Sequence, residues 1–364
     1  MPSKESFFKI IILLIFFYLY LYYFHHLDYL NSNEKVRTES IINRVYLPSF
    51  KLSSKQLEII KLENELFSNC SSVKKSDPDS GQLLYLDYIK HVRNYRINRN
   101  EFCDENPGLT AIIFVWSRVN GFQQREAIRH TWAQSLYRKK SSIKVLFVLG
   151  STHNKKFQSR VEFENSKYED ILQFEFTDSY HNCTLKSIGV LRWTLFFCPN
   201  IKFLMKSDDD ILVNTENLKN FVNKYKDTKQ TIFGVKAVNW DVFRTRKSKW
   251  FISRRTYPFP QWPDFIVAAH LMTSDCVMDL YQKCLEKLPA IILEDVYITG
   301  ILAQNTSIRL VDEKGFIRRY HYHHDHFDII KKTLNFELFN QSISIGHGFK
   351  AQDYYRFWTT VTHF

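Results

Sequence analysis

Several patterns that would assign a chain to a common class of protein are missing from this sequence. No two cysteines form a Cys-x-x-Cys pair, which argues against a structural zinc site. No internal repeat or low-complexity tract is present, so a repeat architecture is not indicated. The net charge is +12, but the tight lysine and arginine blocks of nucleic-acid-binding proteins are absent. We therefore expect no nucleic acid partner.

The densest basic stretch runs from Arg244 to Lys249, with Arg254 and Arg255 after it. Such a charge run is most often a solvated loop. The alternative is a surface near an anionic donor or acceptor. The sequence leaves both interpretations open.

The composition is that of a folded protein. Hydrophobic residues make up 45% and aromatic residues 16% of the 364 residues, which argues against disorder of the whole chain. Behind an apolar N-terminal segment and a polar stretch, about 250 residues remain, enough for one large or two small domains.

An unbroken apolar and aromatic run covers residues 10–24, and the segment 10–30 approaches the roughly 20 residues that span a bilayer. Lys4 and Lys9 precede it, which keeps the short N-terminus in the cytosol. A buried core helix is disfavoured because the run is apolar on all sides, and no cleavage site of a removed signal peptide follows. We predict a cytoplasmic tail at 1–9 and a transmembrane signal anchor at 10–30, with the remaining chain lumenal.

Two further features fit the secretory lumen. N-x-S/T sequons stand at Asn69, Asn182, Asn305 and Asn340. The six cysteines form an even set, as in an oxidising compartment, and all 15 ways of pairing them stay open. Only a Cys276–Cys284 pair is disfavoured, because on one helix these residues would lie about 12 Å apart.

The chain changes character near residue 109. Residues 31–108 are polar and rich in turn formers, and we predict a lumenal stem there, helical in part around Leu83 to Tyr95. In the predicted catalytic domain, 109–364, we expect strands at 110–116, 144–150, 171–176 and 203–206, and helices at 124–136, 157–168 and 184–197. This alternation predicts an α/β fold with a mainly parallel sheet flanked by helices on both faces.

The fourth predicted strand ends in the run Asp208-Asp209-Asp210. Ligands of open α/β sheets bind beyond the carboxyl ends of the strands. Adjacent carboxylates repel each other unless a cation compensates them, and oxygen ligands suit Mn2+ or Mg2+. Such an ion can stabilise a diphosphate as a leaving group. A solvated acidic turn or a helix cap is the alternative.

A second acidic pair, Glu294-Asp295, follows the apolar residues 291–293. Acidic residues favour the first turn of a helix, which is one interpretation. In the other, one of the two carboxylates is a general base.

Motifs in a fixed order extend from Thr110 to the C-terminus. They are R-E-A-I-R-H-T-W at 125–132, V-L-F-V-L-G at 145–150, D-S-Y-H-N-C-T-L-K at 178–186, K-S-D-D-D at 206–210, K-W at 249–250, Y-P at 257–258, W-P-D-F at 262–265, E-D-V-Y at 294–297 with Gly300, and His347 eleven residues before Trp358. Together they resemble the β1,3-glycosyltransferase family of galactosyl- and N-acetylglucosaminyltransferases.

The resemblance implies a GT-A type fold, a UDP-sugar donor, Mn2+ and inversion at the anomeric carbon. Asp210 and His347 would then bind the metal, Asp208 and Asp209 would lie at the donor, and Asp295 would be the general base. The acceptor would be a glycan on a glycoprotein or glycolipid, and the enzyme a single-pass type II Golgi protein. The resemblance does not say whether galactose or N-acetylglucosamine is transferred.

Three basic residues would help to hold the donor, namely Arg125, Arg129 and Lys186. Their alternative is structural, as helix-surface residues or buried ion pairs. Asn182 is also ambiguous, because its sequon lies inside a family motif and a buried structural asparagine competes with a glycan. A histidine-rich segment at 320–326 is interpreted as a polar loop rather than a metal site.

The sequence departs from the family where a run of glycines is usual. Ile266, Val267, Ala268, Ala269 and His270 stand there instead. Glycine allows the backbone to approach a ligand closely, so a changed sugar pocket is expected. This departure supports a second hypothesis, a catalytically silent lumenal protein that keeps the fold and binds a glycan or a partner.

Overall fold

The computed structural model describes residues 52–68, 83–84, 89–287, 290–318 and 336–362. The chain divides into two compact units, Met1–Ser54 and Lys55–Phe364, and nearly all described residues belong to the second. The predicted tail and anchor, Asn69 and the segment 320–326 lie outside the described residues. None of the helices within these ranges is long and apolar enough to cross a membrane.

The described residues contain eight α-helices and thirteen strands. The helices are α1 (Ser54–Ser68), α2 (Phe122–His130), α3 (Lys155–Tyr168), α4 (Cys183–Phe197), α5 (Thr215–Lys224), α6 (Cys276–Glu286), α7 (Phe336–Gln341) and α8 (Ala351–Thr362). The strands are β1 (Leu83–Leu84), β2 (Tyr95–Ile97), β3 (Ala111–Trp116), β4 (Ile143–Ser151), β5 (Ile171–Thr177), β6 (Phe203–Asp208), β7 (Leu212–Val213), β8 (Thr231–Ala237), β9 (Phe265–Thr273), β10 (Ala290–Ile291), β11 (Arg309–Asp312), β12 (Phe316–Arg318) and β13 (Ser344–Gly346).

The large sheet of the described fold has the order β11-β8-β9-β6-β3-β4-β5-β2. Its centre, β6-β3-β4-β5, is parallel. However, β9 runs antiparallel to both β6 and β8, and β2 runs antiparallel to β5. The prediction of an α/β fold with helices around the sheet is confirmed, but the sheet is mixed: the three central pairs and β11–β8 are parallel, and the other three pairs are antiparallel. The sheet is mixed because β9 enters it beside the parallel block.

The predicted central elements are confirmed with small shifts at their ends. β3 is buried at every residue and β4 at most of them, which explains why their sequences read as continuous apolar runs. α4 is buried along nearly its whole length. It packs closely because Gly189 faces the ring of Phe174, and a Cβ at this glycine would lie 2.5 Å from that ring. The predicted helix 124–136 is shorter, because α2 ends at His130 and a 3-10 turn follows at Gln134–Tyr137.

The folded unit begins before residue 109, within the predicted stem. In α1, Glu63 is buried and accepts a hydrogen bond from Arg192 of α4 over 2.8 Å. Tyr281 of α6 donates to the same carboxylate over 2.6 Å. β2 adds a strand to the edge of the large sheet beside β5. These contacts join the stem region to the core over long sequence distances, which composition alone does not reveal.

One disulfide joins Cys103 to Cys198, at the end of α4. Cys183, Cys276 and Cys284 carry free thiols. The expectation that Cys276 and Cys284 do not bridge is confirmed, since both lie on α6. Cys70 lies outside the described residues.

Candidate active site

Asp208, Asp210 and His347 form a cluster at the carboxyl end of β6. The ligand atoms of these three side chains lie within 4.8 Å of one another. His347 Nδ1 is 3.1 Å from Asp210 Oδ1 and 3.7 Å from Asp208 Oδ2. The fold brings them together because β7, which follows Asp210, pairs with β13, which ends just before His347. Asp208, predicted to face the donor, thus lies in the same group as the two predicted metal ligands.

Asp209 points away from this cluster. Its Oδ2 accepts a hydrogen bond from the Ser117 hydroxyl over 2.7 Å. Burial raises the pKa of Asp209 to about 6, against the effect of that hydrogen bond. Asp209 and Asp210 lie in the turn after β6, where Asp209 faces the loop after β3 and Asp210 faces His347. The structure therefore does not bring Asp209 to the position predicted for it.

Lys206 connects the two acidic motifs. Its ammonium lies 3.0 Å from Asp208 Oδ2, 3.3 Å from Glu294 Oε2 and 3.9 Å from Asp295 Oδ1. Burial would lower the pKa of Lys206, but the three carboxylates hold that pKa well above its ordinary value. Burial also favours the neutral form of Asp208, yet Lys206 and His347 keep its pKa below the ordinary value. The charged Lys206 side chain thus joins the cluster of Asp208, Asp210 and His347 to the second acidic pair, Glu294 and Asp295.

Glu294 and Asp295 have different surroundings. Glu294 is buried, accepts a hydrogen bond from Ser187 over 2.8 Å, and has its pKa raised by burial. Asp295 is anchored through Oδ2 by the backbone N–H of Ala268, over 2.9 Å. Its Oδ1 makes no hydrogen bond. This oxygen is buried and lies 3.9 Å from the Lys206 ammonium, although 26% of the Asp295 side chain is exposed.

The segment without the family's glycines forms the first part of β9. Ala268 has a left-handed backbone, with φ of 61°, a conformation that favours glycine. The side chain of Ile266 has space because Gly234 on β8 lacks a Cβ, which would lie 2.4 Å from Ile266 Cγ2. Ala268 and Ala269 line a small apolar recess together with Ile211 and Gly346. The residues that replace the family's glycines thus adjoin Asp295, which the N–H of Ala268 contacts.

Arg125 and Arg129 lie in a buried ion-pair network. Arg125 is fully buried, and its five N–H groups bind Glu164, Ser117 and the carbonyls of residues 118 and 119. Arg129 binds Glu164 and Asp170, each contact being 2.7 to 2.8 Å long. The structure leaves Arg125 no N–H with which to contact a donor directly. Its contact with Ser117, the partner of Asp209, supports the acidic loop from behind.

Lys186 is also buried rather than exposed at the site. Its ammonium lies 2.8 Å from Asp178 Oδ1 and donates to the carbonyl of Ser117 over 2.8 Å. Asp178 Oδ2 in turn accepts from the backbone N–H of Val119 over 2.8 Å. Lys186 thus fixes the loop after β3 to the loop after β5, at the edge of the sheet where the acidic cluster lies.

The three described sequons differ in their surroundings. Asn182 donates its amide N–H to the carbonyl of Thr177 over 2.7 Å, and Thr184 of the same sequon is fully buried. Asn305 and Asn340 are exposed, but Ser342 of the second sequon is buried. Asn305 is followed by Thr306 and an exposed Ser307. Its surroundings are the most accessible of the three.

The donor set fits a hard divalent ion. Two carboxylates and one imidazole converge, and oxygen with imidazole ligands suits Mn2+ among the first-row metals. The backbone N–H of Gly348 donates to Asp210 Oδ2 over 3.0 Å, which fixes that carboxylate. Supporting hydrogen bonds of this kind orient metal ligands.

Comparison with known proteins identifies the family. A family model described as galactosyltransferase matches residues 123–314, more than half of the chain. The chain belongs to the galactosyltransferase family. The matched range contains Asp208–Asp210 and Glu294–Asp295, whereas His347 lies outside it.

Curated relatives are about a third identical to this chain over the aligned residues. The lactosylceramide 1,3-N-acetyl-beta-D-glucosaminyltransferase B of Danio rerio is 32% identical over 240 residues, which is 63% of this chain and 62% of the relative. The beta-1,3-galactosyltransferase 5 of Pan paniscus is 32% identical over 208 residues, 57% of this chain and 68% of the relative. The chain thus spans about three fifths of the length of the first relatives it matches.

Two solved structures illustrate distant likenesses of the fold. A bifunctional glycosyltransferase, WbbM, has a TM-score of 0.35 and 10% identity, covering 68% of this chain and 49% of that one. A 4-diphosphocytidyl-2C-methyl-D-erythritol synthase from Anaerococcus prevotii has a TM-score of 0.36 and 12% identity, covering 64% and 98%. These likenesses carry no argument about function.

Sequence reasoning placed Lys206 within the K-S-D-D-D motif without giving it a role, and it named Glu294 only as one of two candidate bases. A signal for Lys206 was available, because it lies two residues before Asp208 on β6 and therefore on the same side of the strand. No comparable signal exists for Ser187, which reaches Glu294 only through the packing of α4.

Proposed function

We propose that this protein transfers a hexose, galactose or N-acetylglucosamine, from a UDP-sugar to a glycan acceptor hydroxyl in β1,3 linkage, with inversion. The observation that carries the proposal is that Lys206 lies between the cluster of Asp208, Asp210 and His347 and the second acidic pair, Glu294 and Asp295. Lys206 lies 3.0 Å from Asp208 of that cluster and 3.9 Å from Asp295. Family membership and the names of the relatives support glycosyl transfer.

In this proposal Asp295 is the general base. Its carboxylate accepts the proton of the acceptor hydroxyl, whose oxygen attacks the anomeric carbon from the side opposite the diphosphate. The N–H of Ala268 and the ammonium of Lys206 hold the carboxylate in place. An inverting transfer of this kind forms no covalent bond to the enzyme, so no nucleophilic serine or cysteine is needed.

Asp208, Asp210 and His347 would hold Mn2+. When bound, the ion supplies positive charge that stabilises the diphosphate leaving group. Lys206 positions Asp208 for this task and remains charged, because the surrounding carboxylates raise its pKa. Arg125, Arg129 and Lys186 act in the proposal as supports of the acidic loop instead of as donor contacts.

The cellular setting belongs to the same proposal. The apolar run 10–30 would anchor the chain as a single-pass type II protein, with a GT-A catalytic domain in the Golgi lumen. The acceptor would be carried by a glycoprotein or a glycolipid. The name of the Danio rerio relative contains lactosylceramide, which makes lactose a suitable first acceptor probe.

The test uses the detergent-solubilised full chain with UDP-galactose and UDP-N-acetylglucosamine, each with Mn2+ and with lactose. Transfer is followed by UDP release and mass spectrometry of the product. Asp295→Asn keeps the shape of the side chain but removes the base, so we expect transfer to fall by about a hundredfold or more. Asp227→Ala, an exposed position outside the site, is the control. Full activity of Asp295→Asn would overturn the assigned mechanism.

The silent alternative rests on Ala268 and the residues around it. Their side chains occupy space that glycine would leave open beside Asp295. If the folded protein bound no UDP by calorimetry with Mn2+ present, glycan or partner binding without catalysis would be the better description.

A further inference from the structure

Tyr180 and Trp250 form an exposed aromatic surface. Their exposed fractions are 51% and 39%, which is unusual for rings of this size. The indole Nε1 of Trp250 donates a hydrogen bond to the Tyr180 hydroxyl over 3.1 Å. The ammonium of Lys249 lies 5.4 Å from the Tyr180 ring centre and 4.7 Å from that of Trp250. Two rings and one cation thus share a single surface.

This surface lies beside the candidate active site. Tyr180 opens the 3-10 turn Tyr180–Asn182, between β5 and α4, at the same sheet edge as the acidic cluster. Two residues before it, Asp178 binds Lys186, which reaches the loop after β3. The turn leads directly into α4, whose Ser187 donates a hydrogen bond to Glu294 over 2.8 Å. Tyr180 therefore stands on the segment that contacts the second acidic pair.

The surface is built before any ligand binds. Trp250 packs against Phe243 with the ring centres 5.3 Å apart. Arg244 secures the loop that carries both, because its guanidinium donates to the carbonyls of Ile252, Tyr257 and Phe259 over 2.6 to 2.9 Å. A surface that is already ordered loses little conformational entropy when it binds.

We propose that Tyr180, Trp250 and Lys249 form the subsite for the acceptor saccharide, with a sugar ring stacked on the aromatic surface. One face of a hexose carries C–H groups, which are attracted to the electron-rich face of an aromatic ring. Lys249, whose ammonium lies over the two rings on one side, supplies N–H donors for the hydroxyls of the sugar. The inference rests on the proposed function, since it concerns the acceptor of that reaction.

Residues of the basic stretch from Arg244 to Lys249 have different roles in this assignment. Arg244 is structural, as its hydrogen bonds to three carbonyls show. Lys249 is exposed and lies over the two rings. The solvated-loop interpretation therefore fits part of the stretch, and Lys249 is the member placed to contact a ligand.

Saccharide binding tests the subsite without requiring catalysis. Saturation-transfer NMR on the solubilised full chain would measure binding of lactose, N-acetyllactosamine and galactose in the presence of UDP and Mn2+. We expect Trp250→Ala and Lys249→Met to weaken saccharide binding by about tenfold or more, with UDP binding unchanged. Phe163→Ala is the matched control, because Phe163 is a 73% exposed aromatic residue on α3.

Kinetics supply the second readout. With transfer measured, Trp250→Ala should raise the KM for the acceptor while the KM for the UDP-sugar stays the same, and Trp250→Phe should restore part of the loss. Unchanged saccharide binding by folded Trp250→Ala, or no binding of any probe by the wild type, would overturn the subsite. If the proposed function failed and the subsite did not, the wild type would bind the saccharide through Trp250 but transfer no sugar.

Discussion

Arg125 and Glu164 form a two-point ion pair in the protein interior. Arg125 Nε lies 2.8 Å from Glu164 Oε1, and Nη2 lies 2.6 Å from Oε2. Arg129 binds the same carboxylate over 2.7 Å, so one glutamate compensates two buried cations. Burial would raise the pKa of Glu164, but the two arginines hold it below its ordinary value.

Replacing Glu164 by glutamine should therefore destabilise the protein strongly. The substitution leaves two buried guanidinium groups with less compensation, and breaking a buried pair costs about 3–5 kcal/mol. The free energy of unfolding would be measured by urea titration. Arg96→Ala is the control, since it breaks an ion pair whose side chains are 45% and 50% exposed, and it should cost at most about 1 kcal/mol. Equal losses for the two variants would contradict the account of the network.

Ala268→Gly should stabilise the protein although it removes a side chain. A left-handed conformation costs a residue with a Cβ about 1–2 kcal/mol, part of which is offset because glycine is more flexible when unfolded. We expect a net gain of about 0.5–1 kcal/mol in the free energy of unfolding. The neighbouring Ala269→Gly lacks the strain to relieve and should lose about 0.5–1 kcal/mol. Parallel losses in both variants would argue against the assigned backbone conformation.

Asp210→Ala should remove Mn2+ binding. The cluster then keeps only Asp208 and His347, which is too few ligands for a tight site. In the wild type, Mn2+ at a hundredfold excess over its Kd should add about 2.7 kcal/mol of stability, visible as a higher Tm. Asp227→Ala should retain the increase, and chelation with EDTA should abolish it. A metal-dependent Tm increase in Asp210→Ala would place the ion elsewhere.

His270 should make the protein less stable in mild acid. Burial and the charge of Lys206 together lower its pKa from 6.5 to about 4, although the nearby Asp295 and Asp208 act in the opposite direction. Above pH 6.5 the imidazole is neutral in both the folded and the unfolded protein and has no effect. As the pH falls from 6.5 towards 4, only the unfolded chain takes up the proton, so the free energy of unfolding decreases by up to about 3 kcal/mol.

The variant His270→Gln isolates this contribution. The difference in unfolding free energy between wild type and variant should change between pH 7 and pH 4.5, with the wild type losing more. His153→Gln replaces an exposed histidine and should leave the pH dependence of the wild type intact. If His270→Gln and the wild type followed parallel curves, the imidazole would not be held neutral in the fold.

The sequence predicted what depends on local periodicity. The buried strands β3 to β6 and the position of Asp208 at a strand end follow from apolar runs of the right length. For Arg125 the sequence left two alternatives open, donor binding or a structural role, and it did not identify the partner Glu164, 39 residues away. The contact of Glu63 with Arg192 spans 129 residues and leaves no periodic signal in either segment.

That last contact determines how far the chain can be shortened. Arg192 is buried in α4, and α1 brings it the carboxylate of Glu63. A recombinant form that starts at residue 109, where the predicted domain begins, would leave this guanidinium without that carboxylate and Tyr281 without its acceptor. A shortened form for crystallisation or assay should therefore begin no later than Ser54.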